Sequence, residues 1–197
     1  MRKIILCIFA ILGVYNLCAQ KPSDFIADAE RGDSVAQYNL GICYLNGYGV
    51  EKNDAEAVKW FLKSAKLGLP KACLMAGLCY YDGIGVQKDY EEAVRLFMEV
   101  VHNTSADKRF VAEAQGFLAQ CYASGLGVTK DAILAAMLWE KSAEFGIRTS
   151  QLKIGLCYEM GLGVQSDFEK ACYWYRKSAQ QGDKNAQQKL KSFGKTW

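Results

Sequence analysis

Apolar and polar residues follow a helical period along most of this chain. In one representative stretch, Leu40, Cys43 and Tyr44 are apolar at the spacing of one face of an α-helix. A second stretch with the same period follows a short glycine-containing break and carries Ala57 and Phe61 on its apolar face. The strict alternation of a half-buried β-strand is absent from the sequence. The pattern therefore predicts an all-α fold built from helical hairpins, whose first and second helices we call helix A and helix B.

The breaks between helix A and helix B share the motif Gly-x-Gly-Val, which occurs four times. The first glycines of the four copies are 36, 42 and 36 residues apart, so one unit is repeated with six extra residues in the middle. A period of this length is typical of arrays of stacked helical hairpins. We expect structural roles for all eight glycines, which are Gly47, Gly49, Gly83, Gly85, Gly125, Gly127, Gly161 and Gly163.

Each motif also carries signals for the end of helix A and the start of helix B. The first glycine suits the position just past a helix end, because glycine adopts a positive φ without strain. In the first two repeats Glu56 and Glu92 stand where they could complete a reciprocal capping box. Three residues after each valine stands a side chain able to cap helix B, namely Asn53, Asp89, Asp131 or Asp167.

Small residues occupy facing positions in each predicted hairpin. Gly41 aligns with Ala57 in the first repeat, and Gly155 aligns with Ala171 in the fourth. Residues this small let two helix axes approach closely, and the aromatic residues nearby are expected to fill the space between neighbouring hairpins. One hairpin cannot bury both of its faces, so the hairpins are expected to stack.

The period divides the chain into seven segments. The insertion in the second repeat is either a tolerated surface loop or an element that determines specificity, and the small cost of changing loop length favours the surface loop. We expect a signal peptide at 1–19, an N-terminal capping helix at 20–32, repeat 1 at 33–68, repeat 2 at 69–110 with an insertion at 101–110, repeat 3 at 111–146, repeat 4 at 147–182 and a C-terminal capping helix and tail at 183–197.

The first residues resemble a secretory signal peptide. Arg2 and Lys3 are basic, the apolar stretch from Ile4 to Tyr15 is too short to span a bilayer, and Ala19 is a small residue suited to cleavage. This pattern predicts a secreted or periplasmic protein, the latter implying a bacterial source. Cleavage would lower the formal charge from +3 to +1. We therefore expect no nucleic-acid partner and, with no second long apolar stretch, no stable membrane insertion.

The order of the recurring positions within each unit resembles a known repeat. The sequence Leu-Gly-x-x-Tyr, Gly-x-Gly-Val, Asp or Asn, Ala and an aromatic pair is similar to the Sel-one-like repeat family, which is related to tetratricopeptide repeats. The resemblance covers about residues 22–193. It implies a right-handed α/α superhelical solenoid of four helix–loop–helix repeats with capping helices at both ends. It also implies a non-catalytic interaction scaffold that needs no cofactor and binds a protein or peptide partner.

The resemblance further implies where a partner would bind. By analogy with tetratricopeptide arrays, the helices A line a concave face, and their residues that vary between repeats point into it. An extended peptide or a partner helix would suit such a face. The residues expected to contact it are Tyr38, Ile42, Leu45, Leu74, Leu78, Tyr81, Gln120, Leu152, Leu156 and Glu159.

The cysteines follow the repeat. Cys43, Cys79, Cys121 and Cys157 stand at one position of helix A, and equivalent positions of packed helices lie about 8–10 Å apart. Because a disulfide needs Cα atoms within about 7 Å, we expect these residues to be buried thiols. A disulfide between Cys157 and Cys172, on facing helices of one hairpin, stays possible. No metal site is expected, since the chain has no Cys-x-x-Cys pair and no histidine beside a cysteine.

Two other functional classes stay open. Some secreted relatives in the resembled family bind or slowly hydrolyse penicillins, so the resemblance also implies a weak β-lactam-binding or β-lactamase-like protein as an alternative. The single histidine, His102, stands in the insertion and offers little support for a catalytic pair. Cell-wall glycan recognition would use the non-repeating aromatics Tyr38, Tyr48 and Tyr81. Pairs of the Ser-x-x-Lys type, which penicillin-recognising enzymes use, occur at Ser105–Lys108, Ser150–Lys153 and Ser192–Lys195.

Overall fold

The structure is a computed structural model that describes residues 23–197, so the predicted signal peptide and its cleavage site lie outside the described residues. Within residues 23–197 the chain forms ten α-helices and no β-strand, which confirms the all-α prediction. The helices are α1 (Ser23–Glu30), α2 (Ser34–Asn46), α3 (Asp54–Lys66), α4 (Pro70–Asp82), α5 (Tyr90–His102), α6 (Lys108–Ser124), α7 (Ala132–Glu144), α8 (Arg148–Met160), α9 (Phe168–Gln180) and α10 (Lys184–Ser192).

The chain divides into two compact units, the first ending at Leu96 and the second beginning at Phe97. In the first unit α1 packs on α2, α2 on α3 and α3 on α4. In the second unit α6 packs on α7, α7 on α8, α8 on α9 and α9 on α10. Helix A and helix B therefore form hairpins, and these helices each pack against the next one along the chain.

The predicted N-caps of helix B are confirmed, but the capping box is wrong. The side chain of Asn53 accepts a hydrogen bond from the backbone N–H of Glu56, and the three aspartates make the equivalent bond. A capping box would also have Glu56 accept from the N–H of Asn53. That N–H instead donates to the carbonyl of Tyr44 on helix A at 2.9 Å, and Glu56 pairs with Lys59. The bond from the cap to helix A recurs in all four repeats and fixes the width of the connecting loop.

The two glycines of each motif have different roles. The first glycine adopts a left-handed φ of 68° to 74° and donates its N–H to the cysteine carbonyl four residues earlier, as expected for a helix end. The second glycine also has positive φ, and at Gly85 and Gly163 it is constrained by contact as well. A Cβ at Gly85 would lie 2.1 Å from the carbonyl oxygen of Asp54, on the first turn of the preceding helix B. Gly85 therefore lets the second loop rest directly on the preceding repeat.

The glycine in helix A makes room for an aromatic ring. A Cβ at Gly41 would lie 2.6 Å from Cε1 of Phe61, and one at Gly155 would lie 2.7 Å from Cε1 of Tyr175. The backbone of Ala57 is farther away, at 3.1 Å from the same Gly41 position. Close approach of the two helices is thus confirmed, although the ring on helix B, rather than the alanine, fills the space beside the glycine.

Buried serines link the two helices of three hairpins, which the sequence analysis missed. Ser64 donates to the carbonyl of Ser34 at 2.7 Å, and Ser142 donates to that of Ala112 at 2.7 Å. Ser178 makes the equivalent bond to Arg148 at 3.0 Å. Each bond connects the end of helix B to the start of helix A in the same repeat, and the second repeat has Val100 at this position.

Glutamines on helix A link neighbouring hairpins in a similar way. Gln37 donates to the carbonyl of Ala29 at 3.0 Å, and Gln151 donates to that of Ala143 at 3.2 Å. On the C-terminal helix Gln187 donates to Ala179 at 3.1 Å. Each of these carbonyl groups also accepts from the N–H of the glycine three residues later, so the glutamine side chain provides a second hydrogen bond at the end of the preceding helix.

The insertion is mostly helical, so its assignment as a surface loop is wrong in part. Helix α6 has 17 residues, whereas the helices A of the other three repeats have 13. Four of the six extra residues therefore lengthen α6, and two lengthen the connection at 103–107. Asp107 caps the extended helix by accepting from the N–H of Arg109 at 2.8 Å. His102 is the last residue of α5 and is exposed.

All six cysteines of the described residues are buried, and none forms a disulfide. The bridge between Cys157 and Cys172 that the sequence left open is not formed. Burial raises the pKa of Cys121 to about 12 and that of Cys157 to about 11, so both thiols stay protonated at neutral pH and react slowly. Across residues 23–197 no cluster of potential metal ligands is found. No helix in this part of the chain is long and apolar enough to cross a membrane.

Candidate partner-binding surface

Half of the residues expected to contact a partner are buried. None of these five is more than 7% exposed, so their side chains cannot touch a partner in this conformation. The expectation that all ten residues are accessible is therefore wrong for Tyr38, Ile42, Leu45, Leu74 and Leu78.

Tyr38 shows the physical reason. Its ring centroid lies 5.8 Å from that of Phe61 on helix B, and Nζ of Lys71 on the next helix A lies 4.4 Å from the ring centroid. The ring is thus enclosed by groups from two neighbouring helices. Burial raises the pKa of Tyr38, and among the described residues its hydroxyl has no hydrogen-bond partner. Tyr38 is a core residue here, which also removes it from the aromatic residues available to a glycan.

Tyr81 is the one predicted contact residue of the first unit that keeps part of its surface exposed. Its ring packs edge-on against Tyr90 at the start of α5, with centroids 5.4 Å apart and an angle of 75° between the planes. The other aromatic candidate for glycan binding, Tyr48, lies in the first glycine loop, is half-buried and packs against the core formed by α1 and α2.

The other four predicted residues lie in the second unit and keep part of their surface exposed. Leu152 and Leu156 are one helical turn apart on α8, and both pack partly against the core while retaining exposed area. Gln120 on α6 occupies the position in its repeat that Leu156 occupies in the next, and its Nε2 donates to Ser124 Oγ at 2.8 Å. The geometry thus presents an apolar pair on one helix and an amide at the equivalent place on the preceding helix A.

Glu159 forms the end of this set and is bound to its own chain. Nζ of Lys189 lies 2.8 and 2.9 Å from the two carboxylate oxygens, and the hydroxyl of Tyr175 donates to one of them. Burial opposes ionisation, but the bonds from Lys189 and Tyr175 outweigh it and hold the pKa of Glu159 below its usual range. Burial and the bond to Glu159 raise the pKa of Tyr175. The carboxylate joins α8, α9 and α10, so its structural role is direct.

Two of the three serines in the Ser-x-x-Lys pairs have hydroxyl contacts within the protein, and the third, Ser105, is exposed in the connection between α5 and α6. Ser150 is buried, and its Oγ lies 2.7 Å from Oγ of Ser142. Nζ of Lys153 lies 6.0 Å from the ring centroid of Trp139. Ser192 donates to the carbonyl of Lys189 at 2.7 Å. Ser150 therefore lacks the access to substrate that an acylation site requires.

A further apolar surface escaped the sequence analysis. Ile133 and Met137, one turn apart on the outer side of α7, are 64% and 50% exposed, and Leu162 in the fourth glycine loop is 48% exposed. Comparing repeats would have shown it, because α5 carries Glu91 and Arg95 where α7 carries Ile133 and Met137. The signal for this surface is the change from charged residues in α5 to apolar residues at the equivalent positions of α7.

Comparison with known proteins agrees with the repeated helical hairpins. The model of the Sel1 repeat family matches residues 34–69, 70–97, 112–145 and 149–183. Among curated proteins, a putative sel1-like repeat-containing protein, L18, of Acanthamoeba polyphaga mimivirus is 54% identical over 37 residues, which is 19% of this chain and 6% of that protein. The chain therefore spans only a small part of this relative.

Two solved structures have similar folds. The protein c5321, a protective antigen of uropathogenic Escherichia coli strains with an SLR fold, is 31% identical with a TM-score of 0.75, covering 83% of this chain and 34% of its own. A Sel1 repeat protein from Oxalobacter formigenes is 34% identical with a TM-score of 0.75, covering 84% of this chain and 63% of its own. With four family repeats covering more than half of its residues, the chain belongs to the Sel1 repeat family.

Proposed function

We propose that this protein is a non-catalytic scaffold that binds a partner peptide or helix through the helix A surface of its second unit. Sel1 repeats generally mediate protein–protein interactions, and this supports the class of function. The observation that carries the proposal is the pair Leu152 and Leu156, which are apolar, partly exposed and one turn apart on α8. We use the name α8 surface for Leu152 and Leu156 on α8 together with Gln120 on the neighbouring helix A, α6.

The chemistry of the α8 surface suits a short apolar anchor on a partner. Burying the remaining exposed area of a leucine would contribute about 25 cal/mol of binding free energy per Å² of apolar surface. A few such side chains provide most of the energy of a typical interface. The amide of Gln120 adds a donor and an acceptor that can fix the register of a bound backbone or side chain. A helix with apolar residues one turn apart, or an extended segment, has the matching pattern.

The absence of catalysis is part of the proposal. The hydroxyl of Ser150 is buried against Ser142, and that of Ser192 is bonded to a backbone carbonyl. His102, the single histidine of the sequence, is exposed at the end of α5. These contacts support structural roles for the hydroxyl groups of Ser150 and Ser192.

A secreted or periplasmic location is also proposed, and it rests on the sequence pattern of residues 1–19. Expression in a Gram-negative host followed by mass measurement of the exported protein tests it. We expect a mature chain that begins at Gln20. A chain that keeps Met1 and stays in the cytoplasm would contradict this part of the proposal.

The α8 surface can be tested with substitutions taken from the chain itself. Leu152→Gln introduces the residue found at the equivalent Gln188, and Leu156→Gln introduces that of Gln120. The double variant should therefore fold, which circular dichroism would check. Leu67→Gln changes an exposed leucine outside the surface and serves as the control.

The measurement is affinity capture from native envelope extracts, followed by mass spectrometry and by titration of the purified partner. We expect the double variant to lose at least tenfold in affinity for the captured partner, while the control binds like the wild type. Equal binding by the double variant and the wild type would show that the partner docks elsewhere.

A further inference from the structure

The helices A of the second unit, α6, α8 and α10, carry an excess of basic residues. Together they contain seven basic and two acidic residues, a net charge of +5, whereas the helices B of the same unit, α7 and α9, have a net charge of +1. The helices A of the first unit carry only Lys71 and Asp82 and have no net charge. The positive charge is therefore concentrated on the same helices that carry the α8 surface.

The acidic residues near these basic residues expose little free negative charge. Glu113 on α6 is 9% exposed, and burial raises its pKa to about 7, so it is partly protonated at neutral pH. Glu159 on α8 is bonded through both carboxylate oxygens to Lys189. Asp183 caps α10, its side chain is 12% exposed, and its carboxylate lies 4.0 Å from Nε of Arg148, a loose ion pair. The charge that solvent meets on these helices is therefore mainly basic.

Three basic residues lie close to the apolar pair of the α8 surface. Arg148 is one turn before Leu152 on α8, and 42% of its side chain is exposed. Lys153 follows Leu152 directly, and its Nζ lies 6.0 Å from the ring centroid of Trp139 on α7. Lys184 is exposed at the start of α10, at the position that Arg148 occupies on α8.

This combination of groups fits a partner segment that is both apolar and acidic. The two leucines can bury aliphatic side chains of the partner, while lysine and arginine attract carboxylates, and the arginine fork can bind one with two hydrogen bonds. Complementary charges around an apolar centre speed association and select among partners. A nucleic acid would match the charges but has no aliphatic side chain to pack against Leu152 and Leu156.

We propose that the segment bound at the α8 surface is acidic, with aspartate or glutamate residues beside its apolar anchors, facing Arg148, Lys153 and Lys184. This inference rests on the proposed function, because it names the class of partner for the same surface. Basic segments with the same apolar pattern bind more weakly, since their charges would face like charges.

The test is a selection from a displayed library of random helical peptides that all carry two leucines one turn apart. Peptides are kept if they bind the wild type but not Leu152→Gln/Leu156→Gln, and they should be enriched about threefold in aspartate and glutamate over the library. Selection on Lys153→Glu/Lys184→Glu should lose this enrichment. The matched control Lys141→Glu/Lys177→Glu makes the same change in net charge on the helices B of the second unit and should keep it. Circular dichroism would check that every variant folds.

One of the peptides kept by the selection then gives a measurement that needs no charge variant. Its dissociation constant for the wild type, measured by fluorescence anisotropy, should rise about tenfold between about 20 mM and about 500 mM salt, because salt screens the charges. Peptides without acidic enrichment, or with affinities that salt does not change, would overturn this inference and leave the proposed function intact. If no peptide distinguished the wild type from Leu152→Gln/Leu156→Gln, the proposed function would be overturned and this inference with it.

Discussion

Gly163 lies so close to Ala132 that a Cβ would stand 1.9 Å from the alanine carbonyl oxygen. The glycine also has a φ of +72°, which by itself disfavours other residues. Contact and conformation therefore both require glycine here. The contact joins the loop of the fourth repeat to helix B of the third, so it supports the stacking of repeats within the second unit.

The first prediction separates these two requirements. Gly182 has a φ of +83°, but no atom lies within 4 Å of the point that a Cβ would occupy, so Gly182→Ala measures conformational strain alone. That variant should lose about 1 kcal/mol of unfolding free energy. Gly163→Ala should lose about 2 kcal/mol more, because backbone atoms must move apart. Urea denaturation measures both, and equal losses would show that the loop contact is unimportant.

The second prediction concerns the buried serines. Ser142→Ala removes a bond to the carbonyl of Ala112 and a contact with Ser150, whereas Ser178→Ala removes one bond. An unsatisfied buried group costs about 1–3 kcal/mol, so Ser142→Ala should be the more destabilising change. Ser166→Ala, on an exposed serine, is the control and should change unfolding by less than about 0.5 kcal/mol. Thermal and urea unfolding would measure the order, and a control as destabilised as Ser142→Ala would contradict it.

The loop glycines and the buried serines show which features could be predicted from sequence and which could not. Asn53 and Gly47 act within one loop, so their types and spacing were enough to predict a cap and a helix end. The bond from Ser142 to Ala112 joins residues 30 apart, and serine in a helix has no local signal for it. Helical phase predicted the face on which Ile42 stands but not its burial, because exposure depends on what the fold packs against that face.

The third prediction is a loss of stability as pH rises towards neutrality. Glu113 on α6 is buried, and burial raises its pKa to about 7 although Arg109 acts in the opposite direction. The folded state therefore keeps a proton that the unfolded state releases at its ordinary pKa of 4.5. The stabilisation is complete below that value and is lost progressively up to about pH 7, with a total of about 3 kcal/mol.

The variant Glu113→Gln keeps the shape of the protonated side chain but has no ionisable group at this position. Its unfolding free energy should change less than that of the wild type between about pH 4 and pH 8, a window set by the two pKa values. Urea denaturation across this range is the measurement. A wild-type profile that runs parallel to that of Glu113→Gln would contradict the assignment.

The fourth prediction concerns the bond between Lys189 and Glu159. The pKa of Glu159 is lowered in the folded state, so its contribution to stability is present above the ordinary carboxyl pKa and is lost as pH falls through the lowered value. The pair is partly exposed, so Lys189→Met should cost only about 1 kcal/mol. Hydrogen exchange should show faster opening of α10 in this variant, with little change in α6. Unchanged exchange in α10 would mean that the ion pair does not hold the C-terminal helix.

The fifth prediction concerns the β-lactam alternative. Ser150 is buried and bonded to Ser142. Incubation of the mature protein with a labelled penicillin should therefore leave no covalent adduct on Ser150. Intact-mass spectrometry is the measurement, with a penicillin-binding protein as the positive control. An adduct on Ser150 would require the second unit to open and would reinstate an enzymatic function.

The central claim is that a partner docks on the α8 surface, and photo-cross-linking in living cells tests it most directly. A photoreactive amino acid placed at Leu156 should yield a cross-linked partner, and the same group at the exposed Leu67 should yield none. Cross-linking at Leu67 with none at Leu156, or at neither position, would contradict the account.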